Sequence, residues 1–417
     1  MSHLTLDIDL ADADSFIDGA PHHLFRELRE KDPVNWNPRT DGGPGIWNIT
    51  KFDDVGAITR DWKRFTSTRG VSVNRLSKEE EERSAEGMLI FMDPPHHSMI
   101  RRILTQEFTP SRIRALAPSI EYHANRAIDS VIEQGACNFF DVAAELPIKM
   151  ISEMLGIPDE DHARVLDWTN RTFGAEDPEY STGPEDRQQA FQEIFGYGLS
   201  MIADRRKNPT SDLTSAMAHG QVDNRPMADI ELMYCYFLLL GAGNDTTRTL
   251  LLQGVRLFAQ RPDVWQAIRN NRSLVPVAIE EVLRLEPSAR GMGRMATEDV
   301  KIRDVTINAG DQIYLWYVSS NHDADVFDSP DEISLTRPMP PRHHAFGGGG
   351  PHNCIGAPLA RLQAQIFFNL MLDRIPEYAI DGPIDWARSV QFNTIKRLPI
   401  AYAPGARLER PHATTGV

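Results

Sequence analysis

A long apolar segment in the second half of the chain limits what this sequence can fold into. Residues 228–260, ADIELMYCYFLLLGAGNDTTRTLLLQGVRLFAQ, are mostly helix formers and are apolar on nearly every face. A helix that is apolar all round is buried in the core of a large protein or in a membrane. The longest apolar run, YCYFLLLGAG, is far shorter than the roughly 20 residues that span a bilayer. The segment therefore predicts a helix through the centre of a large core, with no membrane anchor.

The composition agrees with a globular protein that has such a core, because 41% of the 417 residues are hydrophobic and 25% are charged. A net charge of -15 without any Lys/Arg-rich run argues against nucleic-acid binding. Three cysteines cannot form a disulfide framework. The first residues, MSHLTLDIDLADADSF, lack the basic and apolar regions of a signal peptide. A cytoplasmic protein is expected.

Most of the remaining chain reads as helix, with a few strand-like stretches and no repeat. Residues 43–58 alternate as an early hairpin strand does, and residues 300–320 read as strand, turn, strand. The segment that starts at Gly356 has apolar residues at 359, 362, 366 and 370, close to a helical period, with Pro358 suited to its first turn.

Cys354 stands directly before this predicted helix, after the four glycines at 347–350. Unpaired N–H groups at a helix N-terminus stabilise a thiolate over a thiol. The glycines let the backbone pass close to a flat, bulky group. From these features alone, Cys354 is a metal ligand, a nucleophile or a small buried residue.

A second unusual stretch, GAGNDTT at 241–247, interrupts the central apolar helix. Glycines, an acid and two threonines break the local rules for a buried helix. The structural interpretation is a kink in which a threonine hydroxyl bonds back to a helix carbonyl.

The loop around Cys354 resembles the cysteine-ligand loop of cytochromes P450, the haem-thiolate monooxygenases, at Phe346, Gly349, His352, Cys354 and Gly356. The family usually places the aromatic residue seven positions before the cysteine, and here Phe346 stands eight before it. The extra glycine, which some bacterial branches share, accounts for the difference. The resemblance implies that Cys354 is the axial ligand of a haem b iron and that loop glycines such as Gly347 and Gly356 leave room for the porphyrin.

Other segments extend the resemblance over nearly the whole chain. Glu281 and Arg284 in EEVLR resemble the family's Glu-x-x-Arg pair, and Arg337 is the candidate for the basic residue tied to it. The implied role of this triad is to hold the haem loop.

The resemblance also supplies cationic partners for the two haem propionates, which are costly to bury unpaired. The candidates are His97 and Arg101 in DPPHHSMIRRIL, Arg294 in GMGRMATEDV, and His352.

In the same resemblance, GAGNDTT is the oxygen-activating groove of the central helix. Thr246 would position a proton donor and Asp245 would relay protons from solvent. Ala242 and Gly243 would leave room for O2 and substrate, with Ala242 next to the cofactor. An acid and an alcohol at this place favour O2 with two electrons as the oxidant.

The implied fold is mainly α, the triangular helical prism of the family, with a small β-rich lobe and haem between the long central helix and the cysteine-loop helix. We expect one domain over 1–417, β-rich near 43–60 and 291–340, and a monomer. Electrons are expected from an external ferredoxin and its reductase. These would dock on a local basic patch formed by Arg102, Arg112, Arg342 and Arg361.

The expected substrate is a hydrophobic sterol, methyl-branched lipid or terpenoid, since the chain looks most like the bacterial branch that hydroxylates sterol side chains and branched lipids. The expected pocket is apolar and consists of Val71, Val73, Met88, Ile90, Leu239, Ala242, Gly243, Met292 and Phe392. Three alternatives stay open: a monooxygenase for a small aromatic or terpene, a haem-based binder or sensor without turnover, and a hydrolase that pairs Cys354 with His352 or His344.

Overall fold

The computed structural model describes residues 3–74, 78, 87–339 and 342–408. Its helices are α1 His22–Lys31, α2 Phe52–Arg60, α3 His96–Thr105, α4 Pro110–Ala115, α5 Ala117–Asp129, α6 Phe139–Leu155, α7 His162–Phe173, α8 Pro184–Lys207, α9 Leu213–Ala218, α10 Asp229–Gln260, α11 Pro262–Asn270, α12 Val275–Leu285, α13 Tyr317–Ser320 and α14 Ala357–Arg374. The described part of the chain is mainly helical, as predicted.

The strands are short. They are β1 Val34–Asn37, β2 Ile46–Ile49, β3 Phe65–Thr66, β4 Ala136–Asn138, β5 Gln221–Val222, β6 Arg225–Pro226, β7 Gly291–Ala296, β8 Val300–Ile302, β9 Val305–Ile307, β10 Gln312–Trp316, β11 Tyr378–Ile380, β12 Asp385–Trp386, β13 Ile395–Arg397 and β14 Pro399–Tyr402. The largest sheet has the order β1-β2-β10-β7-β3, with β2 and β10 parallel and the other neighbours antiparallel. A second sheet, β11-β14-β4, ties the C-terminal region to the start of α6.

The predicted central helix is confirmed as α10, which has 32 residues and is therefore about 48 Å long. It packs against α6, α8, α12 and α14 within the largest hydrophobic cluster of the described residues. The predicted helix after Cys354 is confirmed as α14, with Pro358 in its first turn. None of the described helices is long and apolar enough to cross a membrane.

The strand expected over residues 43–58 is wrong for most of its length. Only Ile46–Ile49 is strand, and α2 follows from Phe52. In α2 the buried residues Phe52, Val55 and Ile58 are spaced by three, which gives the segment one apolar helical face. The prediction of strand, turn, strand for 300–320 is confirmed only in part, because the segment contains three strands, β8 to β10, and its last four residues form α13.

Candidate active site

Helix α10 is mostly buried, but it has an exposed residue in its middle. Ala242 is exposed, although its neighbours Gly241 and Asn244 are buried. Thr246 stands four residues further on and therefore lies on the same helix face. Its hydroxyl donates to the Ala242 carbonyl oxygen at 2.7 Å, which is the back-bond expected for a threonine in a helix. The Thr246 oxygen still has lone pairs that can accept a hydrogen bond.

The glycine at 243 does not belong to this open face, which corrects the expectation that it leaves room for O2 and substrate. A Cβ atom at Gly243 would lie 2.9 Å from Cδ1 of Ile151 on α6. A Cβ atom at Gly241 would lie 2.0 Å from Cζ of Phe173 on α7. Both glycines allow neighbouring helices to approach α10 closely, and of the two proposed small residues only Ala242 faces open space.

Asp245 lies beside a fixed cation. Its carboxylate accepts hydrogen bonds from Arg248, one turn along α10, and from the Thr394 hydroxyl at 3.1 Å. Arg248 is 2% exposed, with its guanidinium 4.7 Å from the centre of the Phe140 ring. A cavity of about 20 Å³, lined by Asp245, Arg248 and Phe392 among others, is large enough for one water molecule. The Asp245 carboxylate, with 17% of its side chain exposed, therefore borders a site where one water molecule fits.

The Cys354 loop is a tight turn held by backbone hydrogen bonds. The Cys354 N–H donates to the Phe346 carbonyl at 2.9 Å, and the Gly347 N–H donates to the His344 carbonyl at 2.9 Å. The thiol is exposed, yet protein surrounds it closely enough that burial raises its pKa. The N–H groups of Gly356 and Ala357 oppose that effect without overcoming it. The N–H groups at the start of α14 thus favour the thiolate, as expected, although burial has the larger effect; a bound metal ion would stabilise the thiolate further.

The four glycines at 347–350 differ in their surroundings. At Gly347, with φ +93°, a Cβ would be only in van der Waals contact with the backbone of His352 and Asn353 at 3.8 Å, so its positive φ is what favours glycine there. In contrast, a Cβ at Gly348 would lie 2.8 Å from Oγ1 of Thr59, and one at Gly350 would lie 2.6 Å from the Thr59 carbonyl oxygen. Half of the run therefore packs the loop onto α2.

Four side chains predicted to bind propionates come together beside this loop. The rings of His97 and His352 are 4.4 Å apart, centre to centre. Burial, and then the neighbouring cations, lowers the pKa of His97 to about 4 and that of His352 to about 2. Burial also lowers the pKa values of Arg101 and Arg294. Arg101 donates to the carbonyl of Asn353, directly before Cys354.

Among the described residues no carboxylate is paired with this cluster, although Asp93 acts on Arg294 from beyond ion-pair distance. Both ring nitrogens of His97 are buried without a hydrogen-bond partner, while His352 contacts the Ser67 hydroxyl at 3.2 Å. Within the described ranges no carboxylate forms an ion pair with Arg101 or Arg294. The cations of the cluster are Arg294, which is buried, and Arg101, which is half-buried, and since neither is paired with a carboxylate, the cluster is suited to an anionic ligand.

The predicted triad of Glu281, Arg284 and Arg337 is connected by hydrogen bonds. The Glu281 carboxylate, 1% exposed, accepts from Arg284 at 2.8 and 3.0 Å and from Arg337 at 2.9 Å. Arg284 also donates to the carbonyls of Asn321 and Pro330 at 3.0 and 2.6 Å. This network joins α12 to the segment that leads into the loop.

The expected pocket residues are only partly brought together. Met88, Ile90 and Leu239 belong to or pack against the large cluster around α10. The Val71 carbonyl accepts the Gly293 N–H of β7 at 2.6 Å, next to Met292. Val73 is 1% exposed and packs in a separate cluster with Phe16 and Trp316, so it does not join the others.

Sequence reasoning missed Gln391, whose side-chain nitrogen donates to the Met292 sulfur at 3.2 Å, and Thr394 beside Asp245. Neither residue stands in a recognisable motif.

The geometry excludes the cysteine-histidine hydrolase. His352 is turned to Ser67, and His344 is stacked on Phe52 at 4.0 Å with its Nδ1 2.9 Å from the Ser320 hydroxyl. Neither imidazole is hydrogen-bonded to Cys354, so neither can serve as its base in this arrangement.

Comparison with known proteins identifies the family. The cytochrome P450 family model matches residues 184–375. A steroid C26-monooxygenase of Rhodococcus jostii (strain RHA1) is 32% identical over 403 residues, which cover 94% of this chain and 84% of that protein. The chain belongs to the cytochrome P450 family. A methyl-branched lipid omega-hydroxylase of Mycobacterium bovis is 31% identical over 411 residues, covering 95% of each chain.

A solved structure shows the same fold in this cytochrome P450. A Mycobacterium marinum cytochrome P450 in complex with pseudoionone matches with a TM-score of 0.87 and 29% identity, covering 96% of this chain and 100% of that one. The protein is accordingly a haem-dependent monooxygenase that uses O2 and a redox partner. The cluster of His97, Arg101, Arg294 and His352, in which no described carboxylate is paired with either arginine, and the exposed Cys354 thiol fit that cofactor, since haem carries two carboxylates and an iron that a thiolate can ligate.

Proposed function

We propose that this cytochrome P450 inserts one oxygen atom of O2 into a hydrophobic sterol, methyl-branched lipid or terpenoid, with electrons from an external ferredoxin. The single observation that carries the site assignment is the hydrogen bond from Arg101 to the Asn353 carbonyl, which joins the cationic cluster to the Cys354 loop. The substrate class is supported by the two relatives named for steroid and methyl-branched lipid oxidation.

In this proposal each side chain has a defined task. The cofactor, when bound, supplies the electron-transfer and O2 chemistry. Cys354 would ligate its iron through sulfur, and His97, Arg101, Arg294 and His352 would hold its carboxylates.

The proton route in this proposal uses the contacts of α10. Water at the small cavity passes a proton to the Asp245 carboxylate, which Arg248 and Thr394 keep in place. Thr246, on the open face with Ala242, accepts a hydrogen bond from water and so orients its proton towards the reacting oxygen. Asp245 therefore supplies protons, and Thr246 determines where they arrive.

The proposed ferredoxin surface is smaller than the sequence suggested. Arg112 is paired with Glu107, and Arg361 with Glu280 at 2.6 Å. Arg102 and Arg342 are exposed, and neither forms an ion pair with another described residue. We expect these two arginines to contribute most to docking of an acidic ferredoxin.

The substrate class is tested by titrating the purified ferric enzyme with sterols, branched fatty acids, terpenoids and small aromatics, and following the shift that displacement of axial water produces in the absorption spectrum. Compounds that shift the spectrum are then incubated with a surrogate ferredoxin system and O2, and the products are analysed. Hydroxylated sterol, branched-lipid or terpenoid product is expected. A shift and turnover with small aromatics alone would overturn the substrate class and favour the alternative.

A further inference from the structure

A second buried carboxylate adjoins the Glu281 network. Glu280, 3% exposed, accepts hydrogen bonds from Arg361 Nε at 2.6 Å and Nη2 at 2.9 Å. It also accepts one from His343 Nε2 at 2.8 Å. His343 precedes Cys354 in the loop and Arg361 follows it on α14, so one carboxylate joins both flanks of the cysteine turn.

The contacts of His343 show which group balances the charge of Glu280. His343 Nδ1 accepts the Ala345 N–H at 3.2 Å while Nε2 donates to Glu280. An imidazole that accepts at one nitrogen and donates at the other is the neutral form. Arg361 is therefore the cation of the pair. Burial would raise the pKa of Glu280, but the bonds from Arg361 and His343 lower it to about 2.

Arg361 also contacts the turn that presents the sulfur. Its guanidinium lies 4.5 Å from the centre of the Phe346 ring, and the Phe346 carbonyl accepts the Cys354 N–H at 2.9 Å. The positive charge of Arg361 acts on the Cys354 sulfur as well. The electrostatic potential at the sulfur thus depends on how completely Glu280 neutralises Arg361.

We propose that Glu280 is a positioning residue that holds Arg361 on Phe346, and that the balance of these two charges adjusts the reduction potential of the bound haem. The proposal rests on the proposed role of Cys354 as the iron ligand. Reduction adds an electron, so a more positive environment at the ligand favours the reduced state and a more negative one disfavours it.

The test measures the reduction potential of the haem-loaded parent, Glu280→Gln, Arg361→Met and the double variant at about pH 8, where carboxylates are ionised. Glu280→Gln leaves Arg361 unbalanced and should raise the potential. Arg361→Met leaves Glu280 unbalanced and should lower it. The double variant should return close to the parent, because both charges are gone.

Opposite signs distinguish charge balance from damage to the loop, which would shift both single variants the same way. The matched control is the exposed pair of Arg272 and Asp373, 2.7 Å apart, since Asp373 is on the same helix about 18 Å beyond Arg361. Asp373→Asn and Arg272→Met should leave the potential unchanged.

If Glu280→Gln does not retain haem, the reduction potential of Arg361→Lys tests the proposal instead. This variant keeps the charge and should stay near the parent potential, whereas Arg361→Met falls. Equal shifts in one direction, or shifts no larger than those of the control pair, overturn the proposal. A parent enzyme without a thiolate-type carbon monoxide spectrum would instead overturn the proposed function.

Discussion

Glu281→Gln is the substitution that most directly tests the support of the cysteine loop. The carboxylate accepts N–H groups from Arg284, from Arg337 and from the Ser334 backbone at 2.9 Å. Glutamine preserves the shape but offers one acceptor oxygen and turns an NH₂ group towards these donors. Arg284, with none of its surface exposed, would be left as a buried cation without its counter-ion.

Breaking a buried ion pair by removing one partner costs about 3–5 kcal/mol. Unfolding entropy of about 2.1 cal/mol/K per residue over 417 residues gives roughly 0.9 kcal/mol/K, so Tm should fall by about 3–6 °C. Because the triad joins α12 to the segment leading into the loop, haem retention should fall together with Tm.

The assay is thermal unfolding of the parent and variant, followed by far-UV circular dichroism, together with the haem content of the purified proteins. Asp373→Asn, which removes an exposed pair, should cost less than about 1 kcal/mol and leave haem content unchanged. A Glu281→Gln protein with parental Tm and full haem content would refute the reasoning.

Three further outcomes are expected. With substrate present, the Thr246→Ala enzyme should still consume O2 and reductant, but a larger share of the O2 should leave as hydrogen peroxide. Thr246→Ser, which keeps the hydroxyl, should release no more peroxide than the parent. If Thr246→Ala couples electrons to product as well as the parent does, the hydroxyl is only a helix feature. Asp245→Asn should slow turnover without comparable peroxide release, because proton supply is impaired while orientation is kept; a parental rate would remove Asp245 from the relay. The pKa of Glu280 is lowered from 4.5 to about 2, so its stabilisation, roughly 3 kcal/mol, is complete above about pH 4.5 and lost as pH falls towards 2. Unfolding of Glu280→Gln measured against pH should therefore converge on the parent in acid, and a constant gap would contradict this.

The central helix and the helix after Cys354 could be predicted from the sequence because their patterns are long and continuous. The cationic cluster was found because each residue stands in a motif of the family, although His97 and His352 are 255 positions apart in the chain. Their spacing in the sequence would not by itself have predicted that they lie close together.

The remaining features depend on tertiary contacts that no local pattern records. Gly243 in a helix is equally consistent with an open pocket and with a close neighbour, and only the position of Ile151 decides. The N–H groups of the helix terminus lower the pKa of Cys354 as expected, but the opposing effect of burial could not be predicted from the sequence. In α2, the alternation of the preceding strand masked a helical spacing of three.

The absorption spectrum of the reduced protein with carbon monoxide tests the central claim, that Cys354 is the axial ligand, most directly. The parent should show the red-shifted band of a thiolate-ligated haem. Cys354→Ser should still bind haem through Arg101, Arg294 and the two histidines but lose that band, because a hydroxyl does not supply thiolate charge to iron. The same red-shifted band in Cys354→Ser, or a colourless parent protein, would contradict the account.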